Sequence, residues 1–212
     1  MKISYSILTH NETDSLEKLF NRLVECKDSE DEIIVVDDYS DNEKTIELLE
    51  SYSSIYDFRY EQRHLMKDFA SQKNHLRKMC SGDYIFNIDA DELPKKFLLK
   101  NLKAILESNP TVDLVLVPRI NTVDGLTDEH IRYWRWNVNE QGWINFPDWQ
   151  PRIHRNRSNI RWIRPVHEIM EGFSEYSFLP TEPEYCLLHH KTIDRQEKQN
   201  AFYSHEEFWN NR

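Results

Sequence analysis

Apolar positions along the first ninety residues switch between two periods. Ile3 to Thr9 is a short apolar run of the kind a strand makes, and Leu16, Leu19, Phe20, Leu23 and Val24 then recur at helical spacing behind Asp14-x-x-Glu17, a capping-box pattern. Glu32 to Asp37 holds an unbroken β-branched core, which predicts a strand buried on both faces. A second capping box, Ser40-x-x-Glu43, opens a helix through Ile46 and Leu49, and Phe58-Arg59-Tyr60 is a weak strand. Asp68 is placed to cap a helix carrying Phe69, Leu76, Met79 and Cys80, which Gly82 stops, and Tyr84 to Asp89 is the next strand. Strands alternating with helices predict an α/β fold on a parallel, doubly wound sheet, whose ligands bind outside the carboxyl ends of the strands.

The texture changes near residue 119. All six tryptophans (Trp134, Trp136, Trp143, Trp149, Trp162 and Trp209) lie beyond it. The stretch from Arg152 to Arg164 carries five arginines and no acid, and a polar helical tail is expected from Asp194 onward. With no repeat and no linker, 1–212 reads as a single domain: a sheet-forming half, 1–118, and an aromatic-rich lobe with a terminal helix, 119–212.

Composition narrows the class. The 212 residues hold 27 Lys+Arg against 37 Asp+Glu, a formal net charge of −10, which disfavours non-specific nucleic-acid binding. Aromatic residues at 12% argue against disorder. Three distant cysteines offer neither a disulfide framework nor a zinc knuckle. No apolar run approaches the roughly 20 residues of a membrane span, and Met1 to Ser6 lacks a signal-peptide core. The expectation is a cytoplasmic protein without an integral membrane segment; peripheral attachment through tryptophans stays open.

Candidate chemistry sits where strands end. In Asp89-Ala90-Asp91-Glu92 two carboxylates two residues apart leave a buried strand, an arrangement able to share a hard divalent cation such as Mg²⁺ or Mn²⁺. A solvated acidic turn is the plain alternative, with Leu93-Pro94 expected to open a helix. Thr9-His10-Asn11-Glu12 and Asp37-Asp38-Tyr39-Ser40-Asp41 follow the first two strands, and carboxylates there can accept from a base imide or ribose hydroxyls. Helix capping accounts for Ser40 and Asp41 but not for Asp37 and Asp38.

These residues resemble a family. Ser6 to Glu12, Val35 to Asp41, Asp68 to Asn74 and Gly82 to Glu92 occur in the order of the signature blocks of the family 2 glycosyltransferases. The resemblance implies a GT-A fold, with a mixed, mostly parallel sheet, that binds a nucleoside-diphosphate sugar, most often UDP-linked, through a divalent metal. By that resemblance Thr9 and Asp38 hold the base, Glu12 belongs to the donor site, Lys73 lies near the nucleotide, Asp91 ligates the metal, and Asp89 lies nearer the ribose or sugar.

Gln150 to Arg155 with Pro165 to Glu168 resembles a block of the lipopolysaccharide-core and peptide S-glycosyltransferase subgroup. The Glu-Asp pair and Q-x-x-R-W motif of other subgroups are absent from this second half. An inverting transferase needs one base to deprotonate the acceptor; Glu168 is the candidate, His167 the alternative, and a surface Glu beside a loop His the plain reading. Arg152 and Arg155 can clamp phosphate, or belong to a solvated face. One of His189 and His190 can add a metal ligand, or one is core and the other exposed. His10, His64, His75, His130, His154 and His205 have no partner at metal-ligand spacing. Trp134, Trp136, Trp143 and Trp149 form either a sugar platform or a small core.

The acceptor stays open among a glycan, a lipid-linked sugar, a peptide side chain and a modified nucleic-acid base. Two other functions remain in play, a metal-dependent nucleotidyltransferase or phosphohydrolase and a non-catalytic nucleotide- or sugar-binding module.

Overall fold

The computed structural model describes the backbone of residues 1–56 and 58–204, and side chains of the same residues as far as 201. Trp209 and His205 lie outside the described residues. The elements in chain order are β1 (Ile3–Thr9), α1 (Thr13–Cys26), β2 (Glu32–Asp37), α2 (Glu43–Tyr56), β3 (Arg59–Gln62), α3 (Phe69–Met79), β4 (Tyr84–Asp89), β5 (Glu92–Pro94), α4 (Lys96–Glu107), β6 (Leu114–Asp124), α5 (Asp128–Trp134), β7 (Ile144–Arg155), β8 (Arg161–Ile163), β9 (Ile169–Glu171), β10 (Tyr176–Phe178), β11 (Leu187–Thr192) and α6 (Ile193–Ser204).

One nine-stranded sheet runs in the order β3-β2-β1-β4-β7-β6-β11-β5, with β10 on β6. The first four strands are parallel. β7 enters antiparallel between β4 and β6, and β11 returns parallel to β6. Strands from beyond residue 118 therefore extend the sheet that the first half begins.

The predicted two-faced burial is present in β2 and β4. Ile33 and Val35 pack with Tyr84, Phe86, Ile88 and the α1 residues Leu16, Leu19, Phe20 and Leu23, while Ile34, Val36 and Ile85 pack on the other face against Leu76 of α3 and Cys80 just after it. Each such side chain contributes about 1.5–3 kcal/mol when fully buried. Asp68 caps α3 as predicted, its carboxylate accepting from Ser71 N–H at 2.8 Å. Gly82 follows the helix where β1 passes so closely that a Cβ would stand 2.8 Å from Ser4 N and 2.9 Å from Lys2 O.

Three local expectations give way to other contacts. Helix α1 begins one residue before Asp14 with no side-chain cap, so Asp14 lies in its first turn. Ser40 does not cap α2: its hydroxyl donates to Asp37 at 2.6 Å, while Asn42 accepts from Lys44 N–H at 3.0 Å. Leu93-Pro94 lies in β5, held by pairing with β11, and α4 starts at Lys96.

Candidate functional site

Parallel register brings the ends of β1, β2 and β4 to one edge, with Thr9 opposite Asp37 and Leu8 opposite Asp89. A cavity of 940 Å³ opens there, lined by Thr9, Glu12, Asp38, Lys73, Asp89, Asp91, His167, Glu168 and His189 among others. Eight sequence-predicted binding or catalytic positions thus share one space with the metal candidate His189.

At one end, Asp38 accepts Leu65 N–H at 2.7 Å on Oδ1, and no hydrogen bond is made to Oδ2 among the described residues. The hydroxyl of Thr9 is buried with no partner among those residues. Both residues line the cavity. Asp37 is different. It is fully buried and accepts from Ser40 Oγ, Ser40 N–H and Gln62, which makes it a brace for the loop.

The centre of the cavity concentrates charge. Asp91 Oδ2 faces His189 Nε2 at 3.2 Å, Arg195 at 3.0 Å and Lys191 at 3.8 Å. The His189 hydrogen bond and these cations overcome burial and hold the Asp91 carboxyl well below the usual carboxylate range. Burial conversely pulls the Lys191 ammonium down. Arg195 also forks onto both oxygens of Glu12, tying α6 to the loop after β1.

A polar relay orients His189. Asn121 Nδ2 donates to Asp148 at 2.9 Å, which turns its amide oxygen toward His189, and His189 Nδ1–H donates to that oxygen at 2.7 Å. Nε2 is therefore the ring nitrogen presented to Asp91. Such outer partners fix tautomer and ring plane in metal-binding histidines.

Below this layer Arg152 binds Asp89 and Glu92, and Arg119 joins Glu92 at 2.9 Å to Asp148 at 2.7 Å. Asp89 is held below the usual carboxylate range by the Arg152 guanidinium, against the opposing effect of burial. Asp148 is depressed chiefly by Arg119, again against burial. Lys73 ion-pairs with Glu168 and sits 4.5 Å over the ring of Trp162.

Three sequence-predicted ligands lie elsewhere. Arg152 is buried beneath the cavity and committed to carboxylates, so it is not presented to phosphate there. His190 points away: alternation along β11 sends it outward, where it meets Thr122 at 2.9 Å and Asp124 at 3.1 Å. Arg155 lies over Tyr84 and binds the carbonyls of Pro110 and Val112, away from the cavity. Of the tryptophans, Trp136 lines the cavity; Trp134 packs on it at 4.6 Å, Trp143 packs on Phe146, and Trp149 on Phe178. Sequence reasoning passed over Arg119, Asn121, Asp148, Lys191 and Arg195; the Arg119-x-Asn121 alternation on β6 was the one available signal.

No group of three or more His, Cys, Asp or Glu able to hold a metal occurs among the described residues. Asp91 and His189 nonetheless supply an oxygen and an oriented nitrogen 3.2 Å apart, a spacing two neighbouring ligands of one cation adopt. Mg²⁺-type sites keep one or two protein ligands and complete their shell with substrate phosphate and water. The pair is one carboxylate and one imidazole, and the same carboxylate oxygen carries Arg195 at 3.0 Å, which a cation held there would displace.

A parallel sheet core continued by mixed strands, with acidic loops converging at its carboxyl edge, is the arrangement in which open α/β sheets bind ligands. The sequence profile of Glycosyl transferase family 2 matches residues 4–177, and the chain belongs to that family. Among its relatives, the SPbeta prophage-derived glycosyltransferase SunS of Bacillus subtilis is 28% identical over 172 residues, covering 79% of this chain and 37% of that protein. The dolichol-phosphate mannosyltransferase of Pyrococcus furiosus is 36% identical over 107 residues, covering 50% of this chain and 30% of that one. The chain spans about a third of the length of these curated relatives. In structure, Staphylococcus aureus TarS 1–349 superposes with a TM-score of 0.64 at 19% identity over 90% of this chain and 60% of TarS 1–349, which shows the GT-A fold. TarS 1–349 is also solved in complex with UDP-GlcNAc, with a TM-score of 0.62. No helix among the described residues is long and apolar enough to cross a membrane.

Proposed function

We propose that this chain transfers a sugar from a nucleoside-diphosphate sugar, UDP-linked, to a nucleophilic acceptor with inversion at the anomeric carbon. One observation carries this reading: Thr9, Asp38 and the Asp91–His189 pair line one cavity. That sequence of groups matches a base, a diphosphate and a sugar laid along the sheet edge. The known complex of TarS with UDP-GlcNAc supports a UDP donor.

Residues 1–118 supply the nucleotide end, with Asp38 and Thr9 on the base. Residues 119–212 supply the acceptor side with His189, Glu168 and Trp136. A bound Mn²⁺ or Mg²⁺, held by Asp91 and His189 with Asp89 nearby, would neutralise diphosphate charge as it departs. Glu168, held by Lys73, takes the proton of the acceptor's nucleophilic atom as that atom bonds to the anomeric carbon and the diphosphate leaves. Arg195 and Lys191 add positive charge beside the leaving group.

The decisive experiment is a donor screen that follows nucleoside-diphosphate release with and without chelator. Chelator-sensitive release from UDP-sugars is the expected result. Pyrophosphate release would establish a nucleotidyltransferase, and tight donor binding with no release against every acceptor pool would establish a binding module.

A further inference from the structure

Helix α3 has a second working face. Its residues Phe69, Gln72 and Lys73 line the donor cavity, while Asp68, Ala70, Ser71, Asn74, His75 and Lys78 line a separate cleft of 470 Å³. The segment from Trp162 to Glu168 alternates in the same way: Val166, His167 and Glu168 face the donor cavity, and Trp162 to Pro165 wall the cleft.

The cleft is cationic within an acidic protein. Arg63, Lys78 and Arg164 line it together with His75, against one carboxylate, Asp68. Asp68 is already engaged by Ser71 N–H, and His75 by Glu61 at 2.9 Å. Arg63 is braced toward the cleft wall by Gln72 and by Ser71 Oγ at 2.9 Å. Lys78 and Arg164 are exposed and make no ion pair or hydrogen bond among the described residues. Arg164 adopts a left-handed backbone at φ 72°, a conformation uncommon for a residue with a side chain. A second observation is independent of these charges. Trp162 is 3% exposed, and its indole N–H is buried without an acceptor. Buried donors in folded proteins find partners, and Trp162 is one of the residues that line the cleft.

We propose that this cleft binds a phosphoryl group, with Arg164, Lys78 and Arg63 supplying charge and Trp162 Nε1–H one hydrogen bond. On the transferase reading, that group is a phosphate carried by the acceptor. Two walls are shared with the donor cavity, because Lys73 lies on the Trp162 ring and pairs with Glu168. An acceptor anchored by its phosphate behind α3 would thus be sensed at the proposed base.

The test is binding, so it stands apart from turnover. Protein labelled with ¹⁵N and saturated with UDP is titrated with inorganic phosphate and, separately, with glycerol phosphate, while indole N–H resonances are followed. Trp162→Phe assigns its peak. The expected result is a saturable shift of the Trp162 indole, weakened by roughly tenfold or more in the Arg164→Gln/Lys78→Gln variant, as lost charge-assisted contacts require. A shift with glycerol phosphate assigns the site to an esterified phosphate; a shift with inorganic phosphate alone would overturn the acceptor assignment. No Trp162 shift, or one equally strong in the double variant, would overturn the site itself. Failure of UDP to bind would instead count against the donor cavity, and it is seen separately in the first step.

Discussion

Asp91 Oδ2 and His189 Nε2 face each other at 3.2 Å, with the imidazole held from behind by the Asn121 amide oxygen at 2.7 Å. That backing makes orientation, not identity alone, the property to probe. Asn121→Leu removes the acceptor for Nδ1–H while leaving both proposed ligands in place. Mn²⁺ affinity in the presence of UDP is expected to fall by about 10–100-fold, with turnover restored at high Mn²⁺. Unchanged affinity, measured by calorimetry, would detach the relay from metal binding.

Glu168→Gln keeps a hydrogen-bonding partner for Lys73 but removes the base. Sugar transfer should drop by about 10²–10⁴-fold with UDP affinity preserved. His167 sits at φ 53°, where Asn is well tolerated, so His167→Asn is the matched control and should cost much less. A larger loss in the His167 variant would exchange the two roles.

Arg152 is the shared counter-charge of Asp89 and Glu92, 3% exposed. Arg152→Met leaves Asp89 without its guanidinium and Glu92 with Arg119, which Asp148 shares. Removing one partner from a buried ion network costs about 3–5 kcal/mol, readable as a lower urea midpoint. Adding Glu92→Gln should recover part of it. A wild-type midpoint in the single variant would mean that Arg152 is not a structural cation.

His154 gives an acid-side prediction. It is fully buried, its Nε2 is unpartnered, and burial pushes its pKa down to about 4 from an ordinary 6.5. Between those values the unfolded chain binds a proton that the folded chain refuses, so stability is lost as pH falls through that window. The loss amounts to about 3 kcal/mol by pH 4. His154→Leu should flatten the pH 6.5 to 4 limb in denaturant titrations; an undiminished slope would assign it to other groups.

Sequence made some of this visible and hid the rest for definable reasons. Asp38, Asp89 and Asp91 could be placed because each follows a strand whose apolar run ends unmistakably, and strand ends locate ligands in this architecture. The choice between His189 and His190 could not be made, since it depends on the pairing of β11 with β6, strands separated by sixty residues. Arg152 looked like a phosphate clamp because it opens an arginine run, yet the chain carries Glu92, sixty residues earlier, directly against it. Asp14 and Ser40 looked like caps by spacing, but neighbours won: α1 starts at Thr13, and Ser40 is spent on Asp37. Asp148 and Arg195 are isolated polar residues with no local motif, and Arg119 and Asn121 offered only their alternation on β6; the long-range packing of β6, β7 and α6 gathers them.

The pairing of β11 beside β6 sets Asn121 opposite His189. Because neighbouring strand residues face opposite sides, a slip of a single position would present His190 where His189 now stands and turn Lys191 outward. Deleting one residue from the turn before Leu187 is therefore a chemical edit in disguise: composition would be almost untouched, while the centre would keep an imidazole and exchange the Lys191 ammonium for the Thr192 hydroxyl.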